Sequence, residues 1–365
     1  MTVADTHADS PVAHTDAPSA TRLAGPDLGV SVSGFGYYLP EGVITNADLA
    51  RMVDTSDQWI IERTGIRSRH RAASDQATSD LAVHASRRAM EKASVRPMDL
   101  DMILVATATP DTPVPATSCL VQRELGAWRS AAMDVGAGCT GFLYAMHTAS
   151  CFVRAGAARR VLVVGAETLT RVTDYADRRS CILFGDGAGA AVVTSPEIAV
   201  HTPRKPDLRL DLLYTALGAD GREAALIDIP SGGSRRPASE QTVRDREHFL
   251  RLDGTAVFRQ AVRRMAEAAR EGLEATGLRP EDIDWILPHQ ANARIIASVA
   301  DQVGIDPSRA MLDLAETGNT SAASIPITLG RARDSGSLKD GQRILMLAFG
   351  AGLTWAGQIW QVRAG

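Results

Sequence analysis

Cysteine is scarce in this chain: four residues in 365, at positions 119, 139, 151 and 181, with no CxxC pair among them. A disulfide scaffold concentrates its cysteines in a much shorter chain, and a zinc site needs paired ligands at short spacing. Both are excluded as organising features, and reduced thiols in a cytoplasmic protein are the expectation. Long hydrophobic runs are missing too. No apolar stretch reaches the roughly 18–20 residues that a membrane-spanning helix needs, so no membrane partner is expected. Positive charge is not in excess: 39 Lys and Arg against 43 Asp and Glu give a net charge of −4, which argues against a nucleic-acid partner. Residues 1–28 lack an apolar segment and carry one basic residue, Arg22, unlike a secretory or transit peptide. Their Ala, Thr, Asp, Pro and Ser predict a disordered N-terminal tail.

What is present is an internal repeat. "RPMDLDMIL" (96–104) and "RPEDIDWIL" (279–287) agree at six of nine positions, and each follows a helical pattern, "SRRAMEKASV" and "AREGLEATGL". The same offset of 183 sets the strand "VLVVG" (161–165) against "ILMLA" (344–348). A slip of three residues sets "GCTGF" (138–142) against "GNTSA" (318–322). Ordered agreement of several elements indicates tandem duplication, with halves at 29–200 and 201–365. Within each half, helical patterns alternate with continuous apolar runs such as "MILVATA" and "GAAVVTS", the mark of strands covered on both faces. The segment 201–250, with "IPSGGSRRPASE", reads as a turn-rich surface excursion.

The duplication singles out residues for chemistry. It predicts that Cys139 and Asn319 begin equivalent helices across a pseudo-twofold axis, and junctions between halves are common ligand sites. A cysteine at a helix N-terminus feels the positive end of the dipole, which favours the nucleophilic thiolate. The other three cysteines read as ordinary small apolar residues. His289, in "PHQANAR", follows the strand "WIL", at the strand end where ligand sites of α/β proteins gather. "GNTSAAS" also fits a plain helix cap. "FGAGLTWAG" (349–357) offers either a tight hairpin or a backbone N–H donor. "FGDGAGAAVV" (184–193) lacks the Lys and Ser/Thr of a phosphate loop and reads as a glycine turn feeding a buried strand.

With these residues placed, the chain resembles β-ketoacyl-acyl-carrier-protein synthase III, of the thiolase superfamily. The resemblance is carried by "TSDQWIIERTGIRSRH" (55–70), "DVGAGCTGFLYA" (134–145), "FGDGAGAAVV", "PHQANARI" (288–295), "GNTSAAS" and "FGAGLTW". It implies an α/β, thiolase-like five-layer αβαβα fold of two duplicated halves with mixed sheets, assembled as a homodimer. It further implies a Cys139–His289–Asn319 triad. Cys139 would take the acyl group from acyl-CoA. His289 and Asn319 would hold the thioester oxygen of malonyl-acyl carrier protein as it loses CO₂, and the enolate so formed would attack the acyl group. The backbone N–H groups of Cys139 and Ala351 would form the oxyanion hole. Trp59, Arg63, Arg178 and Asn292 match CoA-binding positions, and Arg259 and Arg294 match carrier-protein docking positions. Val114 matches an acyl-pocket residue that is a bulky Phe in a relative, which implies tolerance of longer or branched acyl groups. No metal and no cofactor are implied, CoA being part of the substrate.

Other members of the superfamily fit less well. A biosynthetic thiolase needs a second catalytic cysteine late in the chain, and none follows Cys181. Elongating ketosynthases use a second histidine where Asn319 stands. Chalcone-type synthases lack the "TSDQWI…RTGIR" segment. A specialised relative that selects a polyketide starter or acylates an alcohol or amine is the nearest alternative. A scaffold without catalysis would have no need of the triad, and a redox sensor would want a resolving cysteine near Cys139.

Overall fold

The computed structural model describes residues 21–25, 28–201 and 207–364. Ten strands form one continuous mixed sheet. In spatial order nine of them are Trp285–Pro288, Arg343–Gly350, Thr354–Ala364, Leu208–Ala219, Ser31–Tyr38, Asp186–Thr194, Arg160–Thr168, Met102–Ala106 and Ala131–Val135, and Thr21–Ala24 pairs off Leu208–Ala219. The two halves meet between Ser31–Tyr38 and Leu208–Ala219, which share only the pairs Ser31–Asp211 and Val32–Leu210. So short a seam lets each half's sheet turn its own way.

Three apolar cores set the layering. The helices Gly141–Arg154 and Ser324–Asp334 lie between the two sheets, with Phe142, Leu143, Met146, Ile325 and Leu329 in a core shared with Val163, Val193, Met346 and Trp360. Helix Thr78–Ala93 covers the outer face of the first sheet through Leu81, Ala85, Ala89 and Met90. Helices Gly254–Thr276 and Ala293–Val303 cover the second through Val262, Met265, Ile295 and Val299. Helix, sheet, helix pair, sheet and helix make five layers, as expected. The apolar spacing on each outer helix is that of one buried stripe.

The repeat holds with a single offset. Met102–Ala106 and Trp285–Pro288, the turns Pro97–Asp99 and Pro280–Asp282, and the strands Arg160–Thr168 and Arg343–Gly350 all start 183 residues apart. So do the turns Gly138–Thr140 and Ser321–Ala323 and the helices that follow them. The three-residue slip is therefore not used: the structural counterpart of Cys139 is Ala322. Asn319 lies ahead of its turn, paired to Phe184 by a parallel bridge.

Two boundaries differ from expectation. Leu208–Ala219 is a central strand rather than part of an excursion, because Leu210, Leu212, Tyr214 and Ala216 alternate into the cores. Thr21–Ala24, assigned to the tail, pairs antiparallel with residues 214–217, and Leu23 packs on the central core. The rest of the expected tail, residues 1–20 and 26–27, lies outside the described residues.

Close packing at Gly165 locates the second turn. A Cβ there would sit 2.3 Å from the Ala322 carbonyl oxygen and 3.2 Å from the Ala323 nitrogen, so the strand and the turn Ser321–Ala323 touch backbone to backbone. Gly165→Ala is expected to cost about 1–3 kcal/mol by overpacking, lowering the melting temperature and displacing Asn319. An unchanged melting temperature in a thermal scan would contradict this packing.

Candidate active site

One cavity of about 1390 Å³ opens where the two halves meet, and Cys139, His289, Asn319, Ser321, Gly350 and Ala351 line it together. Cys139 sits in the turn Gly138–Thr140, just ahead of helix Gly141–Arg154. Gly138 takes a positive φ of 51°, a conformation that glycine adopts without a Cβ penalty. The Gly350–Ala351 turn lies directly on this backbone: a Cβ at Gly350 would be 2.7 Å from the Cys139 nitrogen. Thr354 ties the two turns together, its hydroxyl donating to the Ala351 carbonyl (3.0 Å) and the Ala137 carbonyl (3.2 Å). Among the described residues the non-glycine positive-φ positions are Ser94, Arg246 and Ser321, so alanine at 351 sits outside the left-handed region and needs no glycine.

His289 follows strand Trp285–Pro288, and its N–H extends the ladder to the Leu347 carbonyl at 2.7 Å. The ring is 3% exposed. Its Nδ1 hydrogen-bonds the Ser324 hydroxyl at 2.7 Å, and that hydroxyl also accepts the Gln290 N–H at 3.3 Å. Gln290 is wholly spoken for: its amide donates to the Pro288 and Met311 carbonyls and accepts from the Asp313 and Leu314 N–H groups. It is a strut between the histidine and the segment leading to Asn319.

Asn319 is held on both sides of its backbone, its N–H donating to the Leu183 carbonyl (2.8 Å) and its carbonyl accepting from Gly185 N–H (3.0 Å). Its side-chain oxygen accepts the Ser321 N–H at 2.9 Å, which assigns the remaining amide group, a donor, to the cavity.

The electrostatics of the site are those of burial. Burial pulls the His289 imidazole down to about 4, so the ring is neutral at physiological pH. Burial pushes the Cys139 thiol up to about 11, with the Glu167 carboxyl adding to the rise and a hydrogen bond from Ser321 opposing it. The dipole argument anticipated the reverse, and desolvation outweighs it here. Glu167, fully buried, is itself raised to about 7 by burial.

The remaining sequence-chosen residues spread along the mouth. Trp59, on helix Asp57–Thr64, has two guanidinium groups close to its ring, Arg63 at 5.6 Å and Arg178 at 5.2 Å from the ring centre. Arg63, Arg259, Arg294 and Asn292 line the cavity, as does Arg179, while Arg178 lies over Trp59 and is bonded to the Asp54 carbonyl. The Asn292 side chain is already engaged, capping its helix at Arg294 N–H and donating to the Arg63 carbonyl. Val114 is 84% exposed and stands apart from the cavity within one chain.

Sequence reasoning missed Ser321, Ser324, Glu167 and Arg69. Arg69 is fully buried and donates to the Ile44 and Ile182 carbonyls and to Asn46, pinning the Trp59 segment to the active-site wall. Its signal was a third arginine in "RTGIRSRH". Among the described residues no cluster of three or more His, Cys, Asp or Glu side chains could hold a metal. None of the described helices is long and apolar enough to cross a membrane.

Comparison with known proteins agrees with this geometry. Residues 133–203 match the family model described as 3-oxoacyl-[acyl-carrier-protein (ACP)] synthase III, and residues 273–362 match its C-terminal model. The beta-ketoacyl-[acyl-carrier-protein] synthase III of Caldanaerobacter subterraneus is 48% identical over 332 residues, covering 91% of this chain and 97% of that protein. The crystal structure of 3-oxoacyl-[acyl-carrier-protein] synthase III from Aquifex aeolicus superposes with a TM-score of 0.82 at 40% identity, over 91% of this chain and 100% of that one. The priming beta-ketosynthase of the R1128 polyketide pathway superposes with a TM-score of 0.81 at 37% identity, over 94% and 99% of the two chains. The chain is a condensing, acyltransferase-type enzyme and belongs to the β-ketoacyl-acyl-carrier-protein synthase III family.

Proposed function

We propose that Cys139 carries the acyl group of an acyl-CoA starter, and that His289 and Asn319 condense it with malonyl-acyl carrier protein. The observation that carries this reading is the convergence of a thiol, a neutral imidazole and an amide donor on one cavity. Attack of Cys139 sulfur on the thioester carbonyl places the developing oxyanion against the N–H groups of Cys139 and Ala351. CoA leaves, and the carrier's malonyl thioester takes its place. His289 then donates from Nε2, with Nδ1 accepting the Ser324 O–H, and Asn319 donates from its amide. Both donors stabilise the enolate formed as CO₂ departs. A neutral imidazole suits this role, since it donates without first needing a proton. CoA serves as part of the substrate, and no other cofactor is called for.

Arg178 rests on the Trp59 ring, and opening that contact by the thickness of one ring lets a planar adenine enter between them and gain a face on each side. Arg63 is placed for the CoA phosphates, with Asn292 holding the Arg63 backbone. Arg259 and Arg294, exposed at the mouth, fit an acidic carrier. The active form is a homodimer. Among the described residues strand Ala131–Val135 is paired only to Met102–Ala106, and Trp128 and Val114 are exposed large apolar residues near this edge, a combination that invites pairing. Dimerisation brings Val114 to the partner's pocket. A reduced thiol nucleophile suits the cytoplasm.

The purified protein, given acyl-CoA and malonyl-carrier, is expected to release CO₂ and 3-oxoacyl-carrier in equal amounts. His289→Ala or Asn319→Ala should cut CO₂ release by about 10²–10³-fold while Cys139 still acylates. Acyl transfer without any decarboxylation would contradict the condensing role. Because folding lowers the His289 pKa to about 4 from an unfolded value near 6.5, the ring stays neutral as pH falls from 7 to 5. Decarboxylation should therefore show no limb near pH 6.5. The same shift removes stability progressively between about pH 6.5 and 4, where the unfolded chain binds the proton first.

The cavity wall includes Leu169, Val172, Phe249, Leu250 and Phe258, which suits an acyl chain longer than acetyl. Acylation rates from acetyl- through octanoyl-CoA should stay within about tenfold of one another, and Val114→Phe should depress the longer chains selectively. Strict acetyl preference in the wild-type protein would overturn this.

A further inference from the structure

A cation buried among neutral groups is costly, and one stands behind the wall of the active site. Arg69 has none of its surface exposed. Among the described residues its guanidinium bonds only uncharged acceptors. Nη1 donates to the Asn46 side-chain oxygen at 2.9 Å and the Ile44 carbonyl at 3.3 Å, and Nη2 donates to the Ile182 carbonyl at 2.6 Å. Its Nε has no hydrogen-bond partner. A well-packed apolar side chain would fill this place at less cost, so the arginine is there for what its fork holds.

What it holds leads to Asn319 from two directions. Arg69 lies on strand Ser68–Arg71, whose neighbourhood grips the short helix Leu314–Thr317 ahead of the asparagine. Arg67 N–H donates to the Ala315 carbonyl at 2.8 Å, and the Ser68 hydroxyl to the Glu316 carbonyl at 3.2 Å. Arg69 itself fills the notch between Gly185 and Gly318, since a Cβ at either glycine would sit 2.9 Å from the Arg69 Cβ. From that notch the guanidinium reaches on to Ile182. The stretch 182–185 is thereby fixed to Arg69 at both ends. Between those ends it clamps the asparagine backbone, through Leu183 carbonyl on one side and Gly185 N–H on the other. The residue just ahead, Gly318, takes a positive φ of 64°. A glycine there leaves the chain free to swing, so the direction of Asn319 has to be imposed from outside.

We propose that Arg69 is a positioning residue for the decarboxylation half-reaction: through the stretch 182–185 it aims the Asn319 amide at the oxygen where the enolate forms. This rests on the role of Asn319 proposed above. Acylation relies on Cys139 and on the N–H groups of Cys139 and Ala351, which stand on the turns Gly138–Thr140 and Gly350–Ala351, away from Arg69. Loss of the fork therefore separates the two half-reactions. The planar guanidinium spans acceptors on two segments at once, whereas an ammonium is a point donor on a flexible stem. Asn46 orients the other side of the fork, and donates in turn to the Asp57 carboxylate at 2.9 Å and the Ile66 carbonyl at 2.8 Å. Asp57 opens the helix that carries Trp59, so one buried cation ties that helix to the clamp on Asn319.

The test is a double-mutant cycle on two steps measured separately with saturating substrates: single-turnover CoA release from acyl-CoA, and CO₂ release from malonyl-carrier by preformed acyl-enzyme. Arg69→Lys keeps the charge and the stem beside the two glycines but loses the fork. It should slow CO₂ release by about tenfold or more, as a misplaced group does. CoA release and the KM for malonyl-carrier should stay within about threefold of wild type, the mark of an interaction made in the transition state. In an Asn319→Ala background Arg69→Lys should cost no more than about twofold further, because the group it aims is gone. Asn46→Ser removes one acceptor and leaves the arginine; it should give the same split at about threefold or more, and carries the test should Arg69→Lys not fold. A merely structural role would lower both steps together and add to the effect of Asn319→Ala. Either of those results, or CO₂ release at the wild-type rate in these variants, would overturn the positioning role. Undiminished CO₂ release by Asn319→Ala alone would instead overturn the proposed role of Asn319 itself.

Discussion

The Ala322 carbonyl occupies the space where a side chain at position 165 would stand, and the active site depends on that approach. It seats the turn Ser321–Ala323 against the end of strand Arg160–Thr168. Asn319, Ser321 and Ser324 are then fixed within one short stretch, the first two lining the cavity and the third bonded to the histidine. The equivalent turn in the first half carries Cys139, held in its place by the backbone of Gly350. Two copies of one element, facing each other across the seam between the sheets, thus supply different chemistry at matched positions.

Burial then does the electrostatic work. With the imidazole, the thiol and a carboxyl all withdrawn from water, each is driven towards its neutral form: His289 down, Cys139 and Glu167 up. A site of this kind lowers the cost of carrying uncharged intermediates and raises the worth of each oriented N–H donor. It also means that the nucleophile does not rest as a thiolate. Its proton has to move as the thioester is attacked.

The outline of this molecule could be read from its sequence because the duplication left near-identical turns, "RPMDLD" and "RPEDID", ahead of equivalent strands. Cys139, His289 and Asn319 could be singled out because glycine-rich turns and a strand end carry them, and the structure brings all three to one cavity. Leu208–Ala219 was hidden because turn-rich sequence on either side made its alternating pattern look like part of a loop. The pairing of Cys139 with Asn319 at a three-residue slip followed the glycines rather than the helices, which keep a strict 183-residue offset. Ser321, Ser324 and Glu167 act through contacts between distant segments, which no local pattern records. Glu167 alone left a trace, a carboxylate at the end of an otherwise apolar strand. The fall of the Cys139 pKa expected from the helix dipole failed for the same reason: desolvation is set by what the other half of the chain packs against it.

The central claim is that Cys139 is the acyl carrier. Incubation with acyl-CoA followed by mass spectrometry of the cysteine-bearing peptides tests it most directly. The account predicts a mass increase of one acyl group on Cys139, absent from Cys119, Cys151 and Cys181, abolished in Cys139→Ser and discharged by malonyl-carrier. An unmodified Cys139 with every acyl-CoA offered, or acylation at another cysteine, would contradict it.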